Sequence, residues 1–390
     1  MISIFVLALL LKTSDAFFWR HGRYSEVPPL ELSSTDYTGK IIIIGAGPAG
    51  ISAAYTLEYL GFQNYQILEA SAEVGGRVQE LDDFIDLPLD AGAEWIHTHP
   101  RILQDMILFD DVVTDETIVY RPKQYRWAVF RDRIKIPLLF RRFVYQEWKF
   151  KRTTWKSYLH DYMYTYVQDR VQVGAPVQTI DYTGAKIQVT TSNGDTLEAD
   201  KVIVAVPPTM LQNGNIDFIP DLPSSKTAEI NKVEMYEGFK IWFEFDDRFY
   251  QDYTIIDSYR IYFDGVLGKP TQRNVLTMLS AGGEVTGDLV KLSDENLFEF
   301  HMKELDKLFR GKATEHYVQH RIQNWSQEPY IKETWEAGYN SRFDEGRILE
   351  PIDEKIYFCG GYLSGDHYAT VHGAILSGRE VAQKALKDAA

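Results

Sequence analysis

The chain has 390 residues, of which 45% are hydrophobic and 25% are charged, and its formal net charge is −15 at pH 7. These proportions are typical of a globular protein, and the length allows one large core or two interleaved domains. The negative charge argues against general nucleic-acid binding. The single cysteine, Cys359, excludes an internal disulfide, which a core of this size does not need.

The N-terminal segment has the pattern of a secretory signal peptide. Residues 2–11 form an apolar run that is too short to span a bilayer but suits the apolar centre of a signal peptide, and residues 14–16 (Ser-Asp-Ala) offer small side chains for cleavage. We therefore expect a signal peptide at residues 1–16, a leader at 17–39 and entry into the secretory pathway. An uncleaved anchor is the alternative, because no Lys or Arg precedes the apolar run.

Residues 41–50, IIIIGAGPAG, form the most informative motif of the chain. The four isoleucines predict a buried strand, and Gly45, Gly47 and Gly50 predict a tight turn into a helix. Such glycines allow a sharp turn, a close approach to pyrophosphate and close packing of helix on strand, while the helix N-terminus favours the phosphates. Glu69 ends the next apolar strand and is placed to bind a ribose diol. The motif predicts a dinucleotide site and fits a nicotinamide or a flavin.

Residues 121–156 differ in charge from the rest of the chain. They carry twelve Lys or Arg against two acidic residues, a local balance of +10, and they are rich in aromatic residues. Such a segment can bind an anionic membrane, nucleic acid or an acidic substrate. We favour a solvated lid, of helical or irregular structure over residues 99–165, and keep an anionic partner or membrane surface as the alternative.

From Val171 onward the pattern changes to short strands separated by turns. Asn193-Gly194 predicts a hairpin turn between two alternating segments. Further strands are predicted at 201–206 and 239–245, and a helix at 292–310.

The last segment, 355–361, is an apolar strand that runs into glycines, and a helix follows it to the C-terminus. This layout predicts an α/β fold in which a Rossmann-like nucleotide-binding domain is split between the two chain ends, with a β-rich domain inserted between them. A ligand cleft is expected where the two domains meet.

With these segments in order, the sequence resembles the flavin-containing amine oxidases, and within them the polyamine oxidases and lysine-specific histone demethylases. The resemblance is carried by GAGPAG with Glu69, by the glycines and arginine at 75–77, by GAEWIH at 92–97, by EADKVIVAVPP at 198–208 and by HYATVHGAILSGREVA at 367–382. It implies FAD as cofactor. It also implies an FAD-binding domain at 40–98, 166–212 and 336–390, and a substrate domain at 213–335.

The resemblance implies FAD contacts from positions that match the family's motifs. These are Gly45, Ala46, Gly47, Ala49, Gly50, Glu69, Ala70, Gly76, Arg77, Gly92, Ala93, Glu94, Trp95, Val177, Trp325, Gly360, Gly361, Thr370 and Val371.

Four residues are implied in the chemistry. Lys240 falls where the family keeps a lysine that holds a water against flavin N5, and Trp335 and Thr370 fall at opposite walls of the substrate cage. His97 matches a histidine that polyamine oxidases place near the substrate, although a core histidine is an equal alternative. No metal site is predicted.

The sequence also departs from the family at two points near the cofactor. FCGG replaces the family's FAGE, so Gly361 stands where an acidic residue binds the ribityl chain, and Glu333-Thr334 replaces Gly-Ser before the cage aromatic. The segment between Trp95 and Val171 is also shorter than the family's helical substrate domain.

The resemblance implies an enzyme that oxidises an amine, with O2 as the second substrate. Because a +10 segment at the entrance would suit a carboxylate, an L-amino-acid oxidase is the first alternative, with Arg126 or Arg133 binding that carboxylate. A flavin-binding protein that has lost oxidase activity and binds a partner is the second alternative.

Overall fold

The computed structural model describes residues 26–127, 147–336 and 343–388. The predicted signal peptide, Arg133 and the centre of the basic segment lie outside the described residues. Among those that are described, no helix has both the length and the apolar character needed to cross a membrane.

A five-stranded parallel sheet forms the first layer. Its strand order is Ile356–Phe358, Lys201–Val204, Ile41–Ile44, Tyr65–Leu68 and Val171–Gln172. The four isoleucines of the central strand are almost fully buried, because helices and a second sheet cover the two faces. The strands come from both ends and the middle of the chain, which confirms the predicted α/β fold with a split nucleotide-binding domain.

The last helix, Val371–Lys387, closes this layer by packing on the first helix, Pro48–Tyr59. The approach is so close that a Cβ added at Gly378 would overlap the carbonyl oxygen of Ala49. The C-terminal segment therefore packs directly against the helix that begins at the predicted dinucleotide turn.

A separate six-stranded sheet contains the long strand Gly238–Phe245, which is central to the site. The alternation of this strand predicts one exposed face, yet all eight residues are buried. Phe239, Ile241 and Phe243 enter one apolar cluster, while Trp242 enters another on the opposite face. The sheet is covered on both sides, so the polar side chains of the strand are also held inside the protein.

The predicted hairpin is present, and Gly194 takes the positive φ of +91° that its turn needs. The segment 99–165 differs from the predicted helical or irregular lid. Within its described residues, Thr117–Tyr120 pairs with Glu147–Phe150 in a two-stranded antiparallel sheet. The basic residue Lys149 lies in this sheet and is fully buried. The strand is too short for its pattern of polar and apolar residues to predict this burial.

The remaining strands complete the sheets described above or form small ones. They are Glu80–Leu81, Leu89–Asp90, Tyr125–Trp127, Val177–Asp181, Ile187–Thr191, Thr196–Ala199, Asp217–Ile219, Met235–Tyr236, Tyr253–Ile255, Arg260–Asp264, Asn274–Ala281, Tyr317–Asn324 and Trp335–Glu336. The remaining α-helices are Arg101–Asp105, Trp155–Leu159, Thr165–Val167, Pro208–Gln212, Ser224–Ile230, Glu284–Leu289, Asp294–Phe309, Lys312–His316 and Glu345–Leu349. The predicted helix at 292–310 is thus confirmed.

Candidate active site and cofactor cradle

The turn between the first strand and the first helix is shaped for a ligand. A Cβ added at Gly50 would overlap the carbonyl oxygen of Gly45, so the fold itself requires glycine at position 50. Gly47 is different: its φ is −77° and an added Cβ would meet no atom within 4 Å. The protein does not need glycine at position 47, and the open space beside it fits a pyrophosphate that approaches the helix N-terminus.

Glu69 lies beside this turn, as predicted. Its carboxylate accepts hydrogen bonds from the backbone N–H of Ala46 at 2.7 Å and of Ser71 at 2.8 Å. Each oxygen keeps a second lone pair for a ligand hydroxyl. Val177 is buried in the neighbouring sheet and Ala70 directly follows Glu69, so this edge of the cradle fits the nucleoside half of a dinucleotide.

Arg77 connects the second glycine loop to the opposite side of the cradle. Its guanidinium donates to the carbonyl oxygen of Thr334 at 3.1 Å and to Glu336 Oε1 at 2.8 Å. Burial acts to lower the pKa of Arg77, but the Glu336 carboxylate outweighs it and the pKa is raised. Arg77 is therefore a permanent cation bound to a carboxylate that the sequence did not single out.

The segment 91–93 joins the second glycine loop to residues of the six-stranded sheet and the turn that follows it. The backbone N–H of Ala93 donates to the carbonyl oxygen of Arg77 at 3.2 Å, and the Trp325 indole donates to the carbonyl oxygen of Ala91 at 3.3 Å. A Cβ at Gly92 would overlap the Arg77 carbonyl oxygen and lie 3.1 Å from the Trp325 ring. Trp325 and Gly92, predicted separately, are thus in contact.

Lys240 reaches the same junction from the six-stranded sheet. Its ammonium donates to the carbonyl oxygens of Asp90 and Gly92, both at 3.1 Å, and to Glu94 Oε2 at 3.0 Å. These three bonds use all three ammonium hydrogens. Lys240, Gly92 and Glu94 therefore form one site, and holding a water with Lys240 requires exchange of one of these bonds.

Glu94 is shared between Lys240 and a second buried lysine. Its Oε1 accepts from Lys149 Nζ at 3.2 Å, and the Lys149 ammonium lies over the rings of Trp95 and Tyr120. Burial acts to raise the pKa of Glu94, but the two ammonium groups outweigh it and hold the pKa below its ordinary range. Glu94 is an anion whose carboxylate orients Lys240.

A second carboxyl in this cluster behaves differently. Burial raises the pKa of Asp90 to about 7, against the opposing effect of Lys269. Burial and the neighbouring Lys149 lower the pKa of Lys269 to about 8. Lys149, Asp90 and Lys269 were missed at the sequence level, because their partners lie far away along the chain.

The other predicted residues lie on neighbouring elements. Thr370 caps the last helix: its hydroxyl accepts from the N–H of Gly373 at 2.9 Å and donates to the carbonyl oxygen of His367 at 2.6 Å. Trp335 pairs with Tyr236 in a two-stranded sheet and is partly exposed. Since the next residue, Glu336, binds Arg77, Trp335 lies beside the cofactor loop.

Two further predictions concern aromatic and histidine positions. Trp95 packs against Tyr120 and Phe263, with ring centroids 5.1 and 5.5 Å away. His97 lies with its Nδ1 3.2 Å from Glu147 Oε2. Burial lowers the pKa of His372 well below its ordinary value, and the nearby His367 and His97 add to this effect. His372 is therefore neutral.

Gly360, Gly361 and Val371 meet at the N-terminus of the last helix. Gly360 N donates to Ser377 Oγ at 3.1 Å, and the N–H of Ala369 donates to the carbonyl oxygen of Gly361 at 2.9 Å. Val371 begins the helix. Together with Gly47 and Arg77, these residues enclose a cradle that has one edge in each half of the chain.

A parallel sheet with a glycine-rich turn, a carboxylate at the end of its second strand and a six-stranded sheet joined to them through the 91–93 segment are the features of a dinucleotide-binding α/β protein. The chain belongs to a family described as flavin containing amine oxidoreductase, which it matches over residues 48–166 and 143–386. The dinucleotide that fits this cradle is therefore FAD, and the chain is a member of that flavin-containing family.

Comparison with curated proteins agrees with this assignment. Lysine-specific histone demethylase 2 of Homo sapiens is 24% identical over 90% of this chain and 54% of its own length. Polyamine oxidase 4 of Oryza sativa subsp. japonica is 24% identical over 89% of this chain and 88% of its own length. The chain thus spans about half of the demethylase and most of the oxidase.

A solved structure has the same fold. Cyclohexylamine oxidase from Brevibacterium oxydans IH-35A superposes with a TM-score of 0.70 at 15% identity, over 90% of this chain and 99% of that one.

Gly47→Ala tests the cradle directly. We expect the variant to lose bound flavin, because the new methyl group occupies space that only the ligand uses, while the melting temperature of the flavin-free chain stays within about 1 °C of the unmodified chain. Gly50→Ala is the matched control and should lower that melting temperature as well, since its methyl group overlaps backbone. A Gly47→Ala protein that retains a full complement of flavin would contradict the assignment.

Glu333 gives a second prediction, on pH. Burial raises the pKa of Glu333 to about 8 from an ordinary value of 4.5, although Arg77 acts to lower it. Between pH 4.5 and about 8, the unfolded chain has released the Glu333 proton while the folded protein still keeps it. The stability that this protonated Glu333 contributes is therefore complete below pH 4.5 and is lost as pH rises through about 8. Glu333→Gln should remove this loss and raise the melting temperature at about pH 9 more than at about pH 5.

Glu198 is exposed, and Glu198→Gln serves as the control for Glu333→Gln. Melting temperatures are measured across this pH range for both variants. Curves for Glu333→Gln and the unmodified protein that stay parallel would show that Glu333 keeps an ordinary pKa.

Proposed function

We propose that the protein is an FAD-dependent oxidase of amines, with polyamines as the preferred class. Family membership supports amine chemistry in general, and polyamine oxidases are among the curated relatives. The observation that carries the proposal is the meeting of Lys240, Trp325 and Gly92 at the junction of the cofactor cradle with the second domain. The net charge of −15 favours a cationic substrate.

When bound, FAD would supply the redox chemistry, a two-electron oxidation by hydride transfer from the carbon next to an uncharged amine, with O2 as the final electron acceptor and hydrogen peroxide as its product. The iminium product of the substrate is hydrolysed by water to an aldehyde or ketone and a shorter amine. The protein's part is to bind, orient and desolvate the amine.

Trp335 and the apolar groups beside it would form the wall against which the amine is held. An apolar wall disfavours the ammonium form and so supplies the uncharged amine that the reaction needs. Holding the carbon in one orientation makes the transfer effectively intramolecular. Thr370 would form the opposite wall, and its use as a helix cap would fix its position there.

Lys240 would position a water for hydrolysis or for the reaction with O2. Glu94 and two carbonyl oxygens fix its ammonium at the junction. Exchange of one carbonyl bond for a water leaves Lys240 anchored through Glu94, whose charge is itself balanced by Lys149.

The alternatives rest on particular residues. For an L-amino-acid oxidase, the described candidate for binding a carboxylate is Arg126, whose guanidinium lies over the ring of Phe309 at 5.2 Å. For a flavin protein without oxidase activity, the supporting observation is the saturation of the three Lys240 donors. A partner at the basic segment 121–156 belongs to this last alternative.

A peroxide-coupled screen distinguishes these functions. The purified flavoprotein is supplied with spermine, spermidine, monoamines and L-amino acids in parallel. We expect peroxide with amines, and with polyamines first. Peroxide from amino acids alone would replace the proposal by the amino-acid oxidase, and a flavin-loaded protein that gives none with any substrate would favour the inactive flavin protein.

Lys240→Met tests the assigned role of the lysine. We expect turnover to fall by about tenfold or more while flavin stays bound, because the water that Lys240 positions is lost. Lys226→Met is the matched control: it removes another buried lysine, one that donates to the carbonyl oxygens of Arg347, Ile348 and Glu350 and not to Glu94, and it should lower the melting temperature without this loss of turnover. Equal turnover in Lys240→Met and the unmodified enzyme would refute the role.

A further inference from the structure

Gly361 leaves an opening in the cradle that the fold does not require. Its backbone lies outside the left-handed region, and an added Cβ would meet its nearest neighbours at ordinary contact distances of 3.5 to 3.9 Å. An alanine would therefore fit at position 361 without a shift of its neighbours. The absence of a side chain there needs an explanation other than backbone geometry.

One of those neighbours is a carboxylate oxygen. Glu336 Oε1 lies 3.6 Å from the place that a Cβ at Gly361 would occupy. Glu336 is only 3% exposed, and the same oxygen accepts from Arg77 Nη2 at 2.8 Å. Its other oxygen, Oε2, receives no hydrogen bond from any residue that the structure describes. A carboxylate from the two-stranded sheet formed by Met235–Tyr236 and Trp335–Glu336 thus reaches the opening beside Gly361.

A second buried group at this opening also lacks a partner. The Tyr362 side chain is 1% exposed, and within the described ranges its hydroxyl has no hydrogen-bond partner. Tyr362 directly follows Gly361 in the chain; burial raises its pKa above the ordinary range, and Cys359 and the charge of Glu336 add to this effect. A buried hydroxyl without a partner costs free energy. The pair therefore points to a ligand that donates and accepts hydrogen bonds here.

We propose that Glu336 binds the hydroxyl groups of the flavin's ribityl chain, and so supplies, from the two-stranded sheet in which it pairs with Met235, the carboxylate that position 361 lacks. A carboxylate is a strong acceptor for such hydroxyls. The polyhydroxyl chain would join the phosphates, which Gly47 and Arg77 would hold, to the ring system beside Trp325 and Gly92. The Glu336 carboxylate lies at the Arg77 end of this path, since it is bound to the Arg77 guanidinium, and the Arg77 carbonyl oxygen accepts from Ala93 in the segment that Trp325 contacts.

The competing explanation is that Glu336 only balances the charge of Arg77. A buried ion pair by itself contributes little net stability, but removal of one partner is destabilising. The two explanations differ in which half of the cofactor is affected. Loss of a ribityl contact weakens FAD and leaves ADP binding unchanged, whereas a misplaced Arg77 beside the pyrophosphate weakens both.

The test uses Glu336→Gln in the purified holoenzyme. Release of FAD after dilution is followed by the rise of free-flavin fluorescence, and ADP affinity is measured by titration of the released chain. We expect FAD release to be about tenfold faster, the size of one lost hydrogen bond to a charged group, and ADP affinity to change by less than about twofold. Unchanged FAD release, or a parallel loss of ADP affinity, would overturn the proposal.

A double variant removes the carboxylate at position 336 and introduces one at position 361. Glu336→Gln combined with Gly361→Glu should return FAD release to within about threefold of the unmodified rate. If the single variant is insoluble, the double variant alone tests the proposal, because Arg77 keeps a counter-charge in it. A folded double variant that releases FAD at least about tenfold faster than the unmodified chain would overturn the proposal.

Asp264→Asn is the matched control for the loss of a buried partner of arginine. Asp264 is also 3% exposed and pairs with Arg248 Nη2 at 2.8 Å, in the six-stranded sheet. It should change stability but not FAD release; an equal acceleration of release in this variant would also overturn the proposal. FAD release is independent of turnover, so a chain that releases FAD as expected but oxidises no amine would contradict only the proposed function.

Discussion

The short segment 91–93 is bonded to both halves of the protein, and the site depends on it. On one side, Ala93 donates to the Arg77 carbonyl oxygen in the second glycine loop of the cofactor cradle. On the other, the carbonyl oxygens of Ala91 and Gly92 accept from Trp325 and Lys240 of the second domain. Only glycine fits at position 92, because any side chain would overlap the Arg77 carbonyl oxygen. The two domains therefore meet through backbone, which fixes the distance between cradle and substrate side.

The buried charges around this segment have the same consequence. Glu94 lies between Lys240 and Lys149, and neither lysine is exposed by more than a few per cent. Such ion pairs are weak sources of stability, because desolvation offsets their attraction. Their value here is orientation: each ammonium has a single arrangement that satisfies its hydrogen bonds. Lys240 is thus held at one position by groups from the opposite domain.

The sequence was sufficient wherever the signal is local. The strand and turn at 41–50, the hairpin at Gly194 and the strand that precedes Gly360 follow from residues adjacent along the chain. The partners of the charged residues could not be predicted in this way. Arg77 and Glu336 are 259 positions apart, and Lys240 and Glu94 are 146 apart. These pairs depend on how the domains meet, which composition and periodicity do not encode.

The departures at the cofactor illustrate this difference. Position 361 on its own indicates that a carboxylate is lost, and position 333 on its own indicates an added charge. In the folded chain, Glu336 occupies the opening beside Gly361, while the pKa of Glu333, raised to about 8, keeps that group uncharged at neutral pH. The two substitutions thus concern one buried cluster around Arg77, and they are compatible with a working flavin site.

Anaerobic titration of the purified flavoprotein with spermine or a monoamine tests the central claim most directly. It observes electron transfer from substrate to flavin without the reaction with O2. The account predicts that the visible absorption band of the bound flavin is bleached by an amine and returns when air is admitted. A bound flavin that stays oxidised in the presence of every amine tested would contradict it.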